Sequence, residues 1–405
     1  MPEQALSDVK VLDLTWYITG PYCTKQLADY GADVIKVERL PGGDPARRMG
    51  PFYKDEPHPE KSGLFLHLNT NKRGITLNLK SEAGKKIFKE LVKWADILVE
   101  SFTPRVMPSL GLDYEILEKI NPRLLMASIS NFGQWGPYRD FKLSELVLYG
   151  MGGPMYMQGL VEREPVKLGG SVIQFQTGNR AVVAIMTTLR GCRRRGDGEH
   201  LDISLYEFQM GMLDRKIMGL VGYQYTGDIN PRLSTRSSGY AAGIFPCEDG
   251  YFSMGGGGRV MYPRLCRMLG RPELINDPRY SADESLYDPA IVDEFNAMFF
   301  YPWLEGRTKN QAWADAQAAG IYSAPINTPG DLFTDPNLEE RNYFVEIDHP
   351  MTGKLKYPGA PIRMTKTPWQ VRRPAPLLGE HNEEVYGMLG YTKDDLVKLR
   401  EMAVI

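Results

Sequence analysis

The chain has 405 residues, more than one hydrophobic core usually organises, so two domains are the default. Its 48 Lys plus Arg balance 50 Asp plus Glu, and a net charge of -2 argues against the strong basic bias of a nucleic-acid or membrane-surface protein. The four cysteines (Cys23, Cys192, Cys247, Cys266) form no CxxC pair, which points to free thiols and away from a disulfide scaffold or zinc site. The opening MPEQALSDVKVLDL has acidic residues and no long apolar run, and no later run would span a bilayer. A cytoplasmic protein with no metal is expected.

In chain order, Val9 to Leu14 reads as a buried strand. Gly20-Pro21 leads into a helix over Tyr22 to Tyr30, and Asp33 to Glu38 is the next strand. Gly74 to Leu79 is a third strand candidate. Ser81 can cap a helix over Glu82 to Trp94, whose Ala83, Ile87, Leu91 and Trp94 fall near helical spacing. Asp96 to Glu100 and Leu124 to Ser130 are further strands, with a short helix at Tyr114 to Ile120 between them. The repetition predicts an open α/β domain with a largely parallel sheet. A long helix is expected from about Gly178 to Leu189, then a strand at His200 to Ser204 and a helix at Tyr206 to Gly219. Leu220 to Gly239 reads as a crossing segment, Tyr240 to Tyr262 as strands around Glu248-Asp249-Gly250, and Leu265 to Gly320 as mainly helical. Asp331 to Arg373 returns as strands and loops before helices near Asn382 to Leu389 and Lys393 to Met402. The expected division is 1–224 as the first part of a large α/β domain, 225–330 as a small α+β domain, and 331–405 returning to the large one.

A mostly parallel sheet binds ligands outside its strand C-terminal ends. Leu14 to Pro21 and Glu38 to Arg48 fall at such ends and form a candidate phosphate site. GxGxxG and the Walker motif are both absent, which removes the short signatures of dinucleotide redox chemistry and nucleotide hydrolysis.

Long collinear stretches carry a family resemblance: residues 11–50, NTNKRGITLNLKSEAGK at 69–85, DILVESFTP at 96–104, 111–137, RGDGEHLDISLYE at 195–207 and PLLGEHNEEV at 376–385. The whole chain resembles the family III CoA-transferases. The resemblance implies a Rossmann-like large domain made by both chain ends, a small domain between them, and a dimer whose subunits interlock like links. It implies coenzyme A or acyl-CoA as substrate or ligand and no tightly bound cofactor. Carried over position by position, Arg39 matches a phosphate-contacting arginine, Leu77, Ser101 and Phe102 fall at adenine and ribose positions, and Lys142 matches a basic residue near the phosphates. Arg105 and Arg47 are nearby candidates. Arg39 and Lys142 also read as solvated surface charges, and Phe102 as core packing.

Members of this family work through an aspartate carboxylate that attacks the acyl thioester, with CoA passing on by way of mixed anhydrides. The aspartate sits in a run resembling GVPIADLAAG. Here the run is GGSVIQFQTG, and registration through Gly169 and Gly178 puts Gln174, a neutral amide, at that position. The nearest acid is Glu145, read three ways: a structural cap, a ligand-orienting group, or a substitute nucleophile. The family also includes the alpha-methylacyl-CoA racemases, whose Gly-His-Asp pattern is replaced here by Leu143-Ser144-Glu145, and no histidine neighbours Glu145 in sequence. Trp16 and Tyr17 make the loop after Leu14 bulkier than the family's THVQAG. They suit packing on a pantetheine arm, lining an aromatic substrate pocket, or filling a disused site. MGGGGR at 254–259 reads as either a lid or a structural turn.

The resulting expectation is a noncatalytic subunit of a heteromeric CoA-transferase, completed by a homologous partner that carries the aspartate. It resembles the system that moves CoA from succinyl-CoA to (R)-2-benzylsuccinate in anaerobic toluene degradation. The alternatives are a homomeric acyl-CoA transferase or isomerase using Glu145, and an acyl-CoA-binding protein without turnover.

Overall fold

The computed structural model describes residues 4–212, 214–229, 232, 239–255 and 258–405. The described chain separates into two compact units. One comprises residues up to Gly159, Arg163–Arg232 and Tyr343–Ile405; the other comprises Leu160–Glu162 and Leu233–Asn342.

Six parallel strands organise the larger unit: β1 (Lys10–Leu14), β2 (Asp33–Glu38), β3 (Arg73–Thr76), β4 (Ile97–Glu100), β5 (Leu125–Ser130) and β6 (Glu199–Ser204). Their order is β3-β2-β1-β4-β5-β6, with every neighbouring pair parallel. The chain runs outward from β1 in one direction, then returns to start β4 on its other side. This reversal opens a crevice above the C-terminal ends of β1 and β4.

Alternation along the strands builds two core layers, because successive side chains point to opposite faces. Leu12, Leu14, Ile35, Val37, Leu98 and Met126 pack with Ile87, Phe88, Leu91 and Val92 of the helix Glu82–Trp94. Val11, Val34, Ile97, Val99, Leu125, Ala127 and Ile129 pack on the other face with Cys23, Leu27 and Ala28 of the helix Thr19–Asp29 and with Ile173, Ala181, Ile185 and Leu189. Edge strand β3 is finished by residues more than 300 positions away. Gly74 N–H donates to His381 Nδ1, Thr76 N–H to Asn382 Oδ1, and Tyr386 O–H to the Thr76 carbonyl. Asn78 N–H then reaches the Val404 carbonyl at 2.8 Å. An open row of β3 backbone groups is thereby covered from within the chain.

The long helix begins earlier than the sequence suggests, at Val172 rather than Gly178, and runs to Arg195 before Gly196 turns left-handed. Gly178 is not a helix start. A Cβ there would stand 2.8 Å from the Thr19 carbonyl, so this glycine permits close approach to the helix Thr19–Asp29. The helical character after β6 also extends further, over Leu205–Met212 and Asp214–Thr226, into the segment expected to cross.

The smaller unit holds an antiparallel sheet of β7 (Ala242–Cys247), β8 (Gly250–Gly255) and β9 (Ser323–Pro325) in that order. Helices between β8 and β9 pack on it around Phe252, Leu265, Phe295 and Phe300, with the Tyr240 and Phe295 rings stacked at 4.1 Å. Of the MGGGGR run, Gly256 and Gly257 lie outside the described residues. In the larger unit, the hairpin β10 (Phe344–His349) and β11 (Gly353–Pro358) contributes Ile347 and Tyr357 to a satellite core with Ala46, Phe65 and Leu66.

Candidate functional site

The loop after β1 is fixed by buried polar groups beneath it. Asp13 accepts from Thr15 N–H at 2.9 Å, from the Thr15 and Thr24 hydroxyls, and from Lys72 Nζ at 2.9 Å. Burial alone would raise the Asp13 pKa, but Lys72, Lys36 and the two hydroxyls together hold it down to about 2. Burial pulls Lys72 down to about 8 even with Asp13 beside it. Lys36 donates to the Thr15 carbonyl and pairs with Asp44 at 2.9 Å. Trp16 N–H is held by Ser101 Oγ and Tyr17 N–H by Asp44 Oδ1. Tyr17 adopts φ 66°, a left-handed conformation that costs about 1–3 kcal/mol and is retained because both flanks are pinned.

Two cavities open at the crevice between β1 and β4. The larger, about 860 Å³, is lined by Trp16, Tyr17, Arg39, Leu77, Ser101 and Phe102, together with Lys80 and Val106. Four of the seven residues matched to coenzyme A positions or placed near them therefore meet in one space. The Arg39 guanidinium lies 4.6 Å from the Trp16 ring centroid, and Phe102 meets the same indole edge-on at 5.1 Å. Arg105 and Lys142 line neither cavity. Arg105 is 72% exposed and makes a two-pronged bond to Asp140 at 2.9 and 2.6 Å; Lys142 is exposed. Arg47 is a correction to the sequence reading. It is wholly buried, grips Glu38 with two bonds of 2.7 Å, and stacks on Phe65 at 3.7 Å, so its guanidinium is spent inside the core.

The smaller cavity, about 420 Å³, shares Tyr17, Ser101, Phe102 and Thr103 with the larger and adds Glu145 and Gln174. Glu145 opens the helix Glu145–Met151, which Ser144 caps. Its Oε1 accepts the Ile173 N–H at 2.8 Å, and the Gln174 side-chain amide donates to Oε2 at 3.3 Å. Gln174 thus sits in the first turn of the long helix, and Glu145 satisfies an orphan amide of that turn from another segment. Among the described residues, Glu145 is the one carboxylate in this lining.

Glu100, at the end of β4, was not singled out from sequence. Burial raises its pKa to about 7, against the Ser128 hydroxyl and the Phe102 N–H, which favour the ionised form. Ser128 Oγ also lies 2.9 Å from His200 Nε2. Among the described residues, no group of three or more His, Cys, Asp or Glu is arranged to hold a metal ion. No described helix is long and apolar enough to cross a membrane.

Residues 6–382 match the profile of CoA-transferase family III. The chain belongs to that family. Transfer of coenzyme A between an acyl-CoA and an organic acid is the family's reaction, with acyl-CoA as ligand and not as a resident group. The family III chain is 32% identical to succinyl-CoA–D-citramalate CoA-transferase of Chloroflexus aurantiacus, over 100% of its own length and 99% of the relative. It is 31% identical to the succinyl-CoA–L-malate CoA-transferase beta subunit of the same organism, over 99% and 98%. A crystal structure of a CAIB/BAIF family protein from Brucella suis superposes with a TM-score of 0.82 at 31% identity, covering 95% of this chain and 99% of that one. The α/β architecture with a parallel sheet closed by both ends of the chain is the fold expected of the family.

Proposed function

We propose that this family III chain transfers CoA between an acyl-CoA and a small organic acid, with Glu145 as the carboxylate that carries the acyl group. The observation behind this reading is the Glu145 carboxylate lining the smaller cavity 3.3 Å from the amide that stands in place of the usual aspartate. In this reading the larger cavity takes the nucleotide end of CoA over Arg39, Leu77, Ser101 and Phe102, and the thioester reaches the smaller cavity past Tyr17. Glu145 Oε1 stays on the Ile173 N–H while Oε2 adds to the thioester carbonyl. The C–S bond breaks, the thiolate leaves with the electron pair, and a glutamyl anhydride forms. The thiolate attacks the glutamyl carbonyl and frees the first acid, leaving a glutamyl thioester. The incoming carboxylate attacks that thioester, and the released thiolate takes the new acyl group and regenerates Glu145. No proton or redox equivalent is consumed. The Gln174 amide is suited to donate to the developing oxyanion, a role worth about 10²–10³ in rate for a well-placed donor.

The test is exchange of label from succinyl-CoA into an added acid by the purified chain, with mass spectrometry of hydroxylamine-trapped peptide. Exchange that falls at least about 10³-fold in Glu145→Gln, with a hydroxamate on Glu145 in the unaltered chain, supports the reading. Full exchange in Glu145→Gln, or trapping elsewhere, sinks it.

A second reading rests on Gln174 itself, since an amide cannot form the anhydride, and on a relative named as a beta subunit. Here a homologous partner supplies the aspartate, and Trp16 and Tyr17 suit an aromatic acceptor such as (R)-2-benzylsuccinate. Silence of the pure chain, with exchange appearing once an aspartate-bearing homologue is added, would select this reading over the first.

A further inference from the structure

The smaller cavity contains groups that thioester chemistry does not use. Ser130 ends β5 and is 5% exposed. It lines the cavity, and its Oγ has no hydrogen-bond partner among the described residues. A buried hydroxyl without a partner is unusual, and a ligand can complete it. Arg139 lines the same cavity. Its ion pair with Asp140 is long, 3.4 Å, and Asp140 already takes two short bonds from Arg105. The fork of Arg139 therefore keeps donors to give. Asn131 adds an amide whose one hydrogen bond among the described residues, to the Phe141 carbonyl, is 3.4 Å. The rest of the lining mixes polar side chains with aliphatic ones, among them Ile18, Ile129, Leu143 and Leu148.

We infer that Arg139 and the Ser130 hydroxyl hold a second, non-reacting carboxylate of the acid, so that this chain selects short dicarboxylic acids. The inference rests on the proposal that the acid reacts in this cavity. A planar guanidinium and a hydroxyl match the two oxygens of a carboxylate, and Arg is the side chain suited to that fork. The aliphatic side chains of the lining suit a short methylene chain, and about 420 Å³ is within the range of small-ligand pockets. Glu145 sets the polarity of the site. An acid with two charges places the one that does not react toward Arg139, and a monocarboxylate of equal length leaves Arg139 and Ser130 without a ligand.

The experiment is calorimetric titration of the full chain, saturated with CoA, using succinate and butyrate, which have the same number of carbons. Succinate is expected to bind at least about 10-fold more tightly than butyrate. Arg139→Gln erases that ratio, Arg139→Lys recovers part of it, and Ser130→Ala weakens succinate alone by about 3–10-fold. Circular dichroism and melting curves establish that each variant is folded. Equal binding of the two acids, binding of neither, or an unchanged ratio in Arg139→Gln overturns the inference. Label exchange in parallel separates it from the transfer reading: exchange without acid selectivity removes the Arg139 anchor only, and selective binding without exchange removes the transfer reading only.

Discussion

Glu145 Oε2 receives the side-chain amide of Gln174 at 3.3 Å, so the position that would carry a second carboxylate instead carries a donor. This pairing sets what an aspartate would do there. Gln174→Asp brings two carboxylates together and removes the donor between them. Like charges at such a distance raise the pKa of the pair. The sign follows: above the raised pKa both groups are ionised and the folded state is penalised, and below it one is protonated and the penalty disappears. The variant is expected to be less stable than the unaltered chain by about 1–2 kcal/mol at pH 8 and nearly equal at pH 5, as read in urea melts. It is also expected to remain without added exchange activity on its own, because the Trp16-Tyr17 loop departs from the family pattern as well.

Glu100 gives a second pH signature. Its folded pKa of about 7 lies above the ordinary value of an unfolded glutamate, about 4.3. Between those values the folded state holds more protons, so stability falls as pH rises through this window and levels off above 7. The span is on the order of 4 kcal/mol. Glu100→Gln keeps an oxygen for the Phe102 N–H and removes the titration. Urea midpoints of the variant should stay flat from pH 5 to 8 where those of the unaltered chain decline.

Asp13→Asn tests the buried network under the cavity loop. It leaves Lys72 without the carboxylate that offsets its burial, while Lys36 keeps Asp44, and breaking such a pair from one side costs about 3–5 kcal/mol. In the unaltered chain the depressed Asp13 contributes stability above about pH 4, and that contribution fades as pH falls toward 2. Differential scanning calorimetry should show a large loss for Asp13→Asn at pH 7 and a shrinking one in acid.

Trp16→Ala removes the ring beneath the Arg39 guanidinium. With the nucleotide end of CoA in the larger cavity, the loss of an organised cation and a stacking surface should weaken CoA by about 5–30-fold. Fluorescence titration gives a second readout, since the Trp16 indole lines the cavity and its emission should shift on CoA addition in the unaltered chain only.

Much of the sheet was legible because β1, β2, β4 and β5 are short apolar runs bounded by turn residues, and Ser81 caps the helix after β3 as its position suggests. The start of the long helix was not legible. Ser171 makes no capping bond, and the Ile173 amide is served by Glu145, 28 residues earlier, which no local pattern reveals. Arg47 misled for a related reason. Its burial depends on Glu38, Glu60 and the Pro376 carbonyl, groups scattered over more than 300 positions. Ser130 and Arg139 carried no motif. The strand-end rule that flagged the loops after β1 and β2 applies equally to the end of β5, and used there it would have drawn attention to Ser130 and Asn131.

The closure of β3 by residues 381–404 also constrains how the protein is made. β1 to β5 leave the ribosome early, yet the edge of their sheet has no covering until the helix Asn382–Met388 and the Val404 carbonyl follow several hundred residues later. During vectorial synthesis that edge is an unpaired strand with an apolar face, the kind of surface that chaperones shield. The larger unit is therefore expected to fold post-translationally, and nascent chains halted before residue 381 should remain protease-sensitive even with all six strands of its parallel sheet already synthesised.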